Sequence, residues 1–188
     1  YVSTTSFKVS GKDVRYKFPK GTKIKLVQSG STKYFYVVAT DYSADTTITI
    51  TGGSDYSLVS GTISGQAYSY AAAPQGFPQW FNFTPTVTYA GGTTDPTSLT
   101  INYAYFSIIG TSVHTIIHGT LVRGSGDRTI IYFTTPLSVS GDFTGSVTIN
   151  FNGYKTCANF NTSATSHRCD VTGMTSDGFI RVDYLARI

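Results

Sequence analysis

The stretch SLTINYAYFSII, residues 98–109, is followed by Gly110-Thr111 and then by SVHTIIHGTLVR, residues 112–123, and it decides the fold class. Both halves are rich in Ile, Val, Thr, Tyr and Phe, which favour the pleated and half-buried environment of a strand. Gly110-Thr111 is a turn signal between the two halves. The sequence therefore predicts two long strands, residues 98–109 and 112–123, in an antiparallel arrangement.

The same composition extends over the whole chain of 188 residues. Only 13% of the residues are charged, and all ten acidic residues are Asp. Helix surfaces are normally built with Glu, Lys, Leu and Ala, whereas this chain is rich in Thr, Ser, Gly, Tyr and Phe. These features argue against a helix-rich protein, and we predict an all-β fold.

The charge is distributed unevenly along the chain. Residues 1–72 carry a net charge of +4, and the remaining residues are neutral overall. A segment rich in Ala, Pro and Gly follows, which is typical of a linker. We therefore predict a small basic β-barrel-like domain over residues 1–72, a linker over 73–79, and a jelly-roll-like antiparallel β-sandwich over 80–188.

A basic hairpin is predicted near the start of the first domain. Apolar and basic residues alternate over residues 14–18, and again over residues 23–26 after the turn signal Pro19-Lys20-Gly21. Such a hairpin could bind nucleic acid through its lysines and the nearby aromatic residues. An anionic envelope polysaccharide or a neighbouring virion protein is another candidate partner of the lysines. Lysines in solvent on a strand face, where they also prevent edge pairing, explain the pattern better. We expect no nucleic-acid partner.

Three segments in the first domain have a recognisable order: FPKGTKIKLVQSG at residues 18–30, TKYFYVV at 32–38 and TITITGGSDYSL at 47–58. In this order they resemble a module of tail-fibre and minor structural proteins of tailed bacteriophages. In the second domain, FTPTVT at residues 83–88 and IIYFTTPL at 130–137 resemble the sandwich that ends many such fibres. The two resemblances together cover most of the chain.

The resemblance implies a non-enzymatic virion surface protein, made in the bacterial host cytoplasm and carried on the tail or another appendage of the phage. Such proteins are commonly homotrimers that contact other virion proteins. During host adsorption their terminal domain binds a receptor, here a bacterial surface glycan or an envelope protein. The alternatives are a carbohydrate-binding module or lectin, and a structural capsid or neck component with no receptor role.

The segment 154–174 is polar, and we predict a long surface excursion there, where binding residues often lie. Aromatic rings can stack on sugars while amide, carboxylate and basic side chains bind hydroxyl groups. The predicted glycan-binding residues are Tyr154, Asn159, Asn161, His167, Arg168 and Asp170. Cys157 and Cys169 have eleven residues between them and form a candidate disulfide. Plain thiols are the alternative, because phage proteins assemble in a reducing cytosol.

No catalytic residue, metal site or cofactor is predicted. His114 and His118 are four residues apart, which on a strand separates them by roughly 13 Å, too far to share one ion. The pairs Asp41 with Asp45 and Asp177 with Asp183 could serve a glycosidase, but Asp is a common turn residue. The sequence also lacks an apolar run of about 18 residues, so we expect no membrane insertion.

Overall fold

A computed structural model describes residues 1–139, 143–150, 154–157, 162–163, 165–171 and 176–188. These residues form antiparallel strands and one short 3₁₀ helix. The predicted all-β fold class is therefore confirmed. Within the described part of the chain, no helix is long and apolar enough to cross a membrane.

The chain forms two compact units. The first comprises residues 1–81 together with 107–112, and the second comprises residues 82–106 and 113–188. The segment 73–79, expected to be a linker, thus lies within the first unit. Its Phe77 ring packs against the rings of Tyr34 and Tyr36, at centroid distances of 5.6 and 5.2 Å. Burial of these aromatic surfaces attaches a segment whose composition alone is typical of a connector.

The first unit contains a five-stranded antiparallel sheet that curls into half a barrel. Its strands are β1 (Ser6–Val9), β2 (Lys23–Gln28), β3 (Ser31–Tyr42), β4 (Thr46–Thr51) and β5 (Ser64–Ser69). They lie in the order β1-β4-β3-β2-β5. In β4, burial alternates with the sequence Thr-Thr-Ile-Thr-Ile-Thr, so Ile48 and Ile50 enter the core with Leu26, Phe35 and Leu58.

The predicted hairpin over residues 14–26 is wrong. Arg15–Lys17 form the 3₁₀ helix, and the hairpin is instead β2 with β3. The Asp13 carboxylate accepts a hydrogen bond from the Arg15 backbone N–H at 3.1 Å, which favours the turn over an extended strand. Five alternating residues fit a strand, but such a short pattern does not outweigh these local hydrogen bonds.

Among the described residues, ten further strands follow, in two antiparallel sheets. They are β6 (Phe81–Asn82), β7 (Val87–Ala90), β8 (Ser98–Ile109), β9 (Ser112–Val122), β10 (Ile130–Thr134), β11 (Phe143–Asn150), β12 (Tyr154–Cys157), β13 (Thr162–Ser163), β14 (Ser166–Asp170) and β15 (Gly178–Arg187). The four-stranded sheet has the order β13-β14-β10-β7, and the six-stranded sheet has the order β12-β11-β15-β9-β8-β6. The predicted strands at 98–109 and 112–123 are confirmed as β8 and β9.

The segment 154–174 is not a surface excursion over its described residues. It contributes β12, β13 and β14, and β14 pairs along its whole length with β10. Cys169 and Val171 are buried, with 0% and 2% of their surfaces exposed. The sequence of β14, Ser-His-Arg-Cys-Asp, has a single small apolar residue, so its contribution to the core depends on pairing that the local pattern does not reveal.

Candidate functional site

The six-stranded sheet has one buried face and one outward face, and β9 shows the division. Val113, Ile117 and Leu121 are buried, whereas His114 and His118 are partly exposed. Residues two apart on a strand share a face. The two histidines therefore lie on the outward face of the sheet.

The neighbouring strand β8 changes phase near its middle. Ala104 and Phe106 are buried, but Asn102 and Tyr103 are both exposed. A Cβ added at Gly119 of β9 would contact Leu99, which places Leu99 on the opposite side from His118. Two consecutive exposed residues between alternating halves are the pattern of a β-bulge. Both Asn102 and Tyr103 consequently reach the outward face.

Four rings form a row on this face, which we call the aromatic row: Tyr105, Tyr103, His118 and Phe179. Tyr103 stacks on Tyr105 at 5.2 Å between ring centroids and on His118 at 5.0 Å, in each case with 12° between the planes. Phe179 of β15 lies 5.5 Å from His118. Because neighbouring rings cover each other's faces, a ligand would meet the ring edges and the ends of the row.

Hydrogen bonds fix the imidazole of His118 within the row. The Asn102 side-chain amide donates from Nδ2 to His118 Nδ1 at 3.0 Å and to Thr120 Oγ1 at 2.9 Å. A ring nitrogen that accepts a hydrogen bond carries no proton. In this arrangement Nδ1 of His118 is the acceptor, and Nε2 is the ring nitrogen that faces a ligand as a donor.

A second polar group lies on the same face. His114 Nε2 donates to Asp183 Oδ1 at 2.8 Å, and Arg181 Nη2 lies 3.5 Å from Asp183 Oδ2. The side chains of His114 and Asp183 are about one third exposed, at 35% and 34%. The outward face thus combines rings with hydrogen-bond donors and acceptors, which together suit the apolar C–H groups and the hydroxyls of a sugar.

The glycan-binding residues predicted from sequence lie on two different sheets. Tyr154 begins β12 in the six-stranded sheet, where it pairs with Asn150. His167, Arg168 and Asp170 are on β14 in the four-stranded sheet, where Arg168 pairs with Tyr132 of β10. The other two predicted residues, Asn159 and Asn161, lie outside the described residues. The predicted set therefore does not form one strand face.

The candidate disulfide stays a prediction. Cys157 is on β12 and pairs with Val147, whereas Cys169 is on β14 and pairs with Ile131. The two strands belong to different sheets. Cys169 is fully buried.

The aromatic row is the part of the site that sequence reasoning missed. The spacing Tyr103-Ala-Tyr105 indicates that the two tyrosines share a strand face. It does not indicate that this face points outward, and Phe179 belongs to a strand far along the chain. Only the pairing order β15-β9-β8 brings its ring to His118.

Three of the four aspartates considered for catalysis, Asp45, Asp177 and Asp183, have structural partners. Asp45 accepts a hydrogen bond from the Gly11 N–H at 3.0 Å, and Asp177 accepts one from the Arg123 N–H at 2.7 Å. Asp183 binds His114, as described above. Among the described residues there is also no cluster of three His, Cys or Asp side chains that could hold a metal ion.

The first unit contains a concave apolar feature, a cavity of about 460 Å³ lined by residues of the two edge strands β1 and β5. Phe7, Val9, Phe18 and Ile63 line it and also pack against the core. Its size is in the range of small-molecule sites. Much of its lining is an extension of the hydrophobic core. We place the candidate glycan site on the outward face of the six-stranded sheet, where rings and hydrogen-bonding side chains lie together.

The site has to be interpreted from its own chemistry, which is a row of rings beside an Asn-Thr pair and a His-Asp-Arg cluster. Comparison of the chain with protein-family models, with curated proteins and with solved structures found no match.

Proposed function

We propose that this chain is the non-enzymatic receptor-binding part of a phage tail fibre or related virion spike, and that it binds a bacterial surface glycan. The observation that carries the binding activity is the aromatic row beside the polar side chains of Asn102, Thr120 and Asp183. The virion context rests on the resemblance of residues 18–58 and 83–137 to fibre modules.

The geometry favours binding over chemistry. Rings supply apolar area at a low cost in conformational entropy, and Asn, His and Asp supply directional hydrogen bonds for sugar hydroxyls. All of these groups stand on paired strands, so little ordering is required when a ligand binds. This is the arrangement expected of a rigid recognition surface.

The test is binding of the full chain to an array of bacterial surface polysaccharides, comparing wild type with Tyr103→Ala. Loss of the central ring removes ring edges that a ligand would meet and the stacking contacts that hold Tyr105 and His118 in place, each worth about 0.5–1.5 kcal/mol, so binding should weaken roughly two- to tenfold. Tyr16→Ala is the matched control, because Tyr16 is an exposed tyrosine of the first unit, 74% exposed. Unchanged binding by Tyr103→Ala would contradict the proposed site.

A second pair of variants tests the residues predicted from sequence on the other sheet. Arg168→Ala and Asp170→Ala should leave glycan binding unchanged if the aromatic row is the site. If these two variants lose binding and Tyr103→Ala does not, the site lies on the four-stranded sheet. If no polysaccharide binds the wild-type chain, the alternative of a structural capsid or neck component is favoured.

A further inference from the structure

A buried lysine lies in the first unit on the face of the sheet that points away from its core. Lys23 on β2 is only 4% exposed. It pairs with Tyr36 of β3, and Lys25 on the same face pairs with Tyr34. The ammonium group of Lys23 lies 5.4 Å from the centre of the Tyr36 ring. Within the described residues it forms no ion pair.

Lys23 and Lys25 line a small cleft of about 130 Å³. The segment that follows β5 covers the cleft, with Phe77 packed edge-on against Tyr34 at 5.6 Å. We call it the lysine cleft and define it by Lys23, Lys25, Tyr34, Ser69, Gln75 and Phe77. All of these residues belong to the first unit.

The cleft is positively charged, and none of the described residues that line it carries a negative charge. Burial lowers the pKa of Lys23, because the ammonium form loses hydration that nothing in the cleft fully replaces. The cation–π contact with Tyr36 compensates for only part of this lost hydration. Buried charges in proteins are normally paired, and an anion in the cleft would supply the missing partner.

The other groups in the cleft restrict which anion fits. Tyr34 and Phe77 provide aromatic surface, while Ser69 and Gln75 provide a hydroxyl and an amide for hydrogen bonds. A bare inorganic anion would use none of the aromatic surface. The volume is below the 300–1,000 Å³ that is common for drug-sized ligands, so the cleft suits a single small ring.

We propose that the lysine cleft binds the carboxylate of one acidic sugar residue. Lys23 and Lys25 donate to the carboxylate, the rings of Tyr34 and Phe77 contact the C–H groups, and Ser69 and Gln75 bind hydroxyls. This site lies in the other unit from the aromatic row, so it does not depend on the proposed function of that row.

The first experiment titrates glucuronate into the full chain and follows the amide signals of residues 23–25 and 75–77 by NMR. Methyl glucoside is the neutral counterpart, and inorganic sulfate tests plain anion binding. Glucuronate should bind about tenfold more tightly than either probe. Equal binding of sulfate would overturn the assignment to a sugar, and absence of glucuronate binding would overturn the site.

Three variants with the same change of charge locate the binding. Lys23→Met and Lys25→Met should each weaken glucuronate binding about tenfold. Lys12→Met, at an exposed position outside the cleft, should leave it unchanged. An equal loss in all three would mean that binding follows the net charge alone, and it would overturn the proposal.

Thermal unfolding of the same variants without ligand gives a second readout. Because Lys23 is largely buried and its ammonium group has no ion pair among the described residues, Lys23→Met should unfold at the same or a higher temperature than wild type. A lower unfolding temperature would show that Lys23 stabilises the fold, and this would contradict its assignment as a ligand-binding residue. If Lys23→Met fails to fold, Lys25→Met, at an exposed position, still tests the cleft.

Discussion

Gly21 meets two requirements that only glycine satisfies. Its φ is +86°, in the left-handed region, and an added Cβ would overlap the carbonyl oxygen of Gly110, which belongs to the same unit. The Gly21 N–H donates to the Val37 carbonyl at 2.8 Å, and this bond holds the backbone in place. A side chain at this position would therefore be both strained and obstructed.

We predict that Gly21→Ala lowers the free energy of unfolding by about 3 kcal/mol or more, because the left-handed conformation alone costs roughly 1–2 kcal/mol and the overlap adds to it. Gly30→Ala is the matched control, since Gly30 has φ +75° and no atom within 4 Å of an added Cβ. Urea unfolding measures both variants. Equal destabilisation would show that the backbone near Gly110 moves aside.

One carboxylate makes several of the hydrogen bonds that hold the connection between β7 and β8. Asp127 Oδ1 accepts hydrogen bonds from the backbone N–H groups of Thr93 and Thr94 at 2.8 and 2.6 Å, and Oδ2 accepts one from the Thr93 hydroxyl. These backbone hydrogen bonds hold the pKa of Asp127 below its usual value. The ionised carboxylate thereby joins a glycine-rich turn to the segment that leads into β10.

This connection predicts an acid-dependent loss of stability. A carboxyl whose pKa is lowered in the folded state stabilises the protein at pH values above the ordinary pKa of about 4. This stabilisation is lost as the pH falls through the lower pKa of the folded state. Between pH 6 and pH 3 the melting temperature of wild type should therefore fall more than that of Asp127→Asn. Asp41→Asn, at an exposed strand position, should behave as wild type. Parallel curves for wild type and Asp127→Asn would contradict the assignment.

At the same scale, β8 illustrates how an irregular strand can form a surface. A regular strand would direct Asn102 and Tyr103 to opposite faces. The phase change exposes both residues on the outward face. Asn102 therefore donates a hydrogen bond to His118, while Tyr103 stacks on the His118 ring. The polar and aromatic parts of the candidate site therefore depend on this local irregularity.

The proposed fibre also makes a prediction about the whole molecule. Light scattering after size exclusion should give a mass of three chains of 20.3 kDa each, because receptor-binding ends of such fibres are commonly trimers. The measurement is repeated at two concentrations to separate a stable trimer from weak association. A monomer at both concentrations would contradict the trimer and favour the lectin-type alternative.

What the sequence by itself determined is the fold class and the strands with long local patterns. Residues 98–109 and 112–123 could be assigned because β-branched and aromatic residues persist over a dozen positions around a Gly turn. These are local properties of the chain, and they need no knowledge of neighbouring strands.

The tertiary structure alone decided the role of the short or polar segments. Phe77 joins the first unit because Tyr34 and Tyr36 are there to cover it, and β14 is a strand because β10 pairs with it. Likewise, Tyr103, His118 and Phe179 form one row only because β8, β9 and β15 are neighbours. Burial, pairing and ring stacking depend on residues distant in sequence, so no local pattern could reveal them.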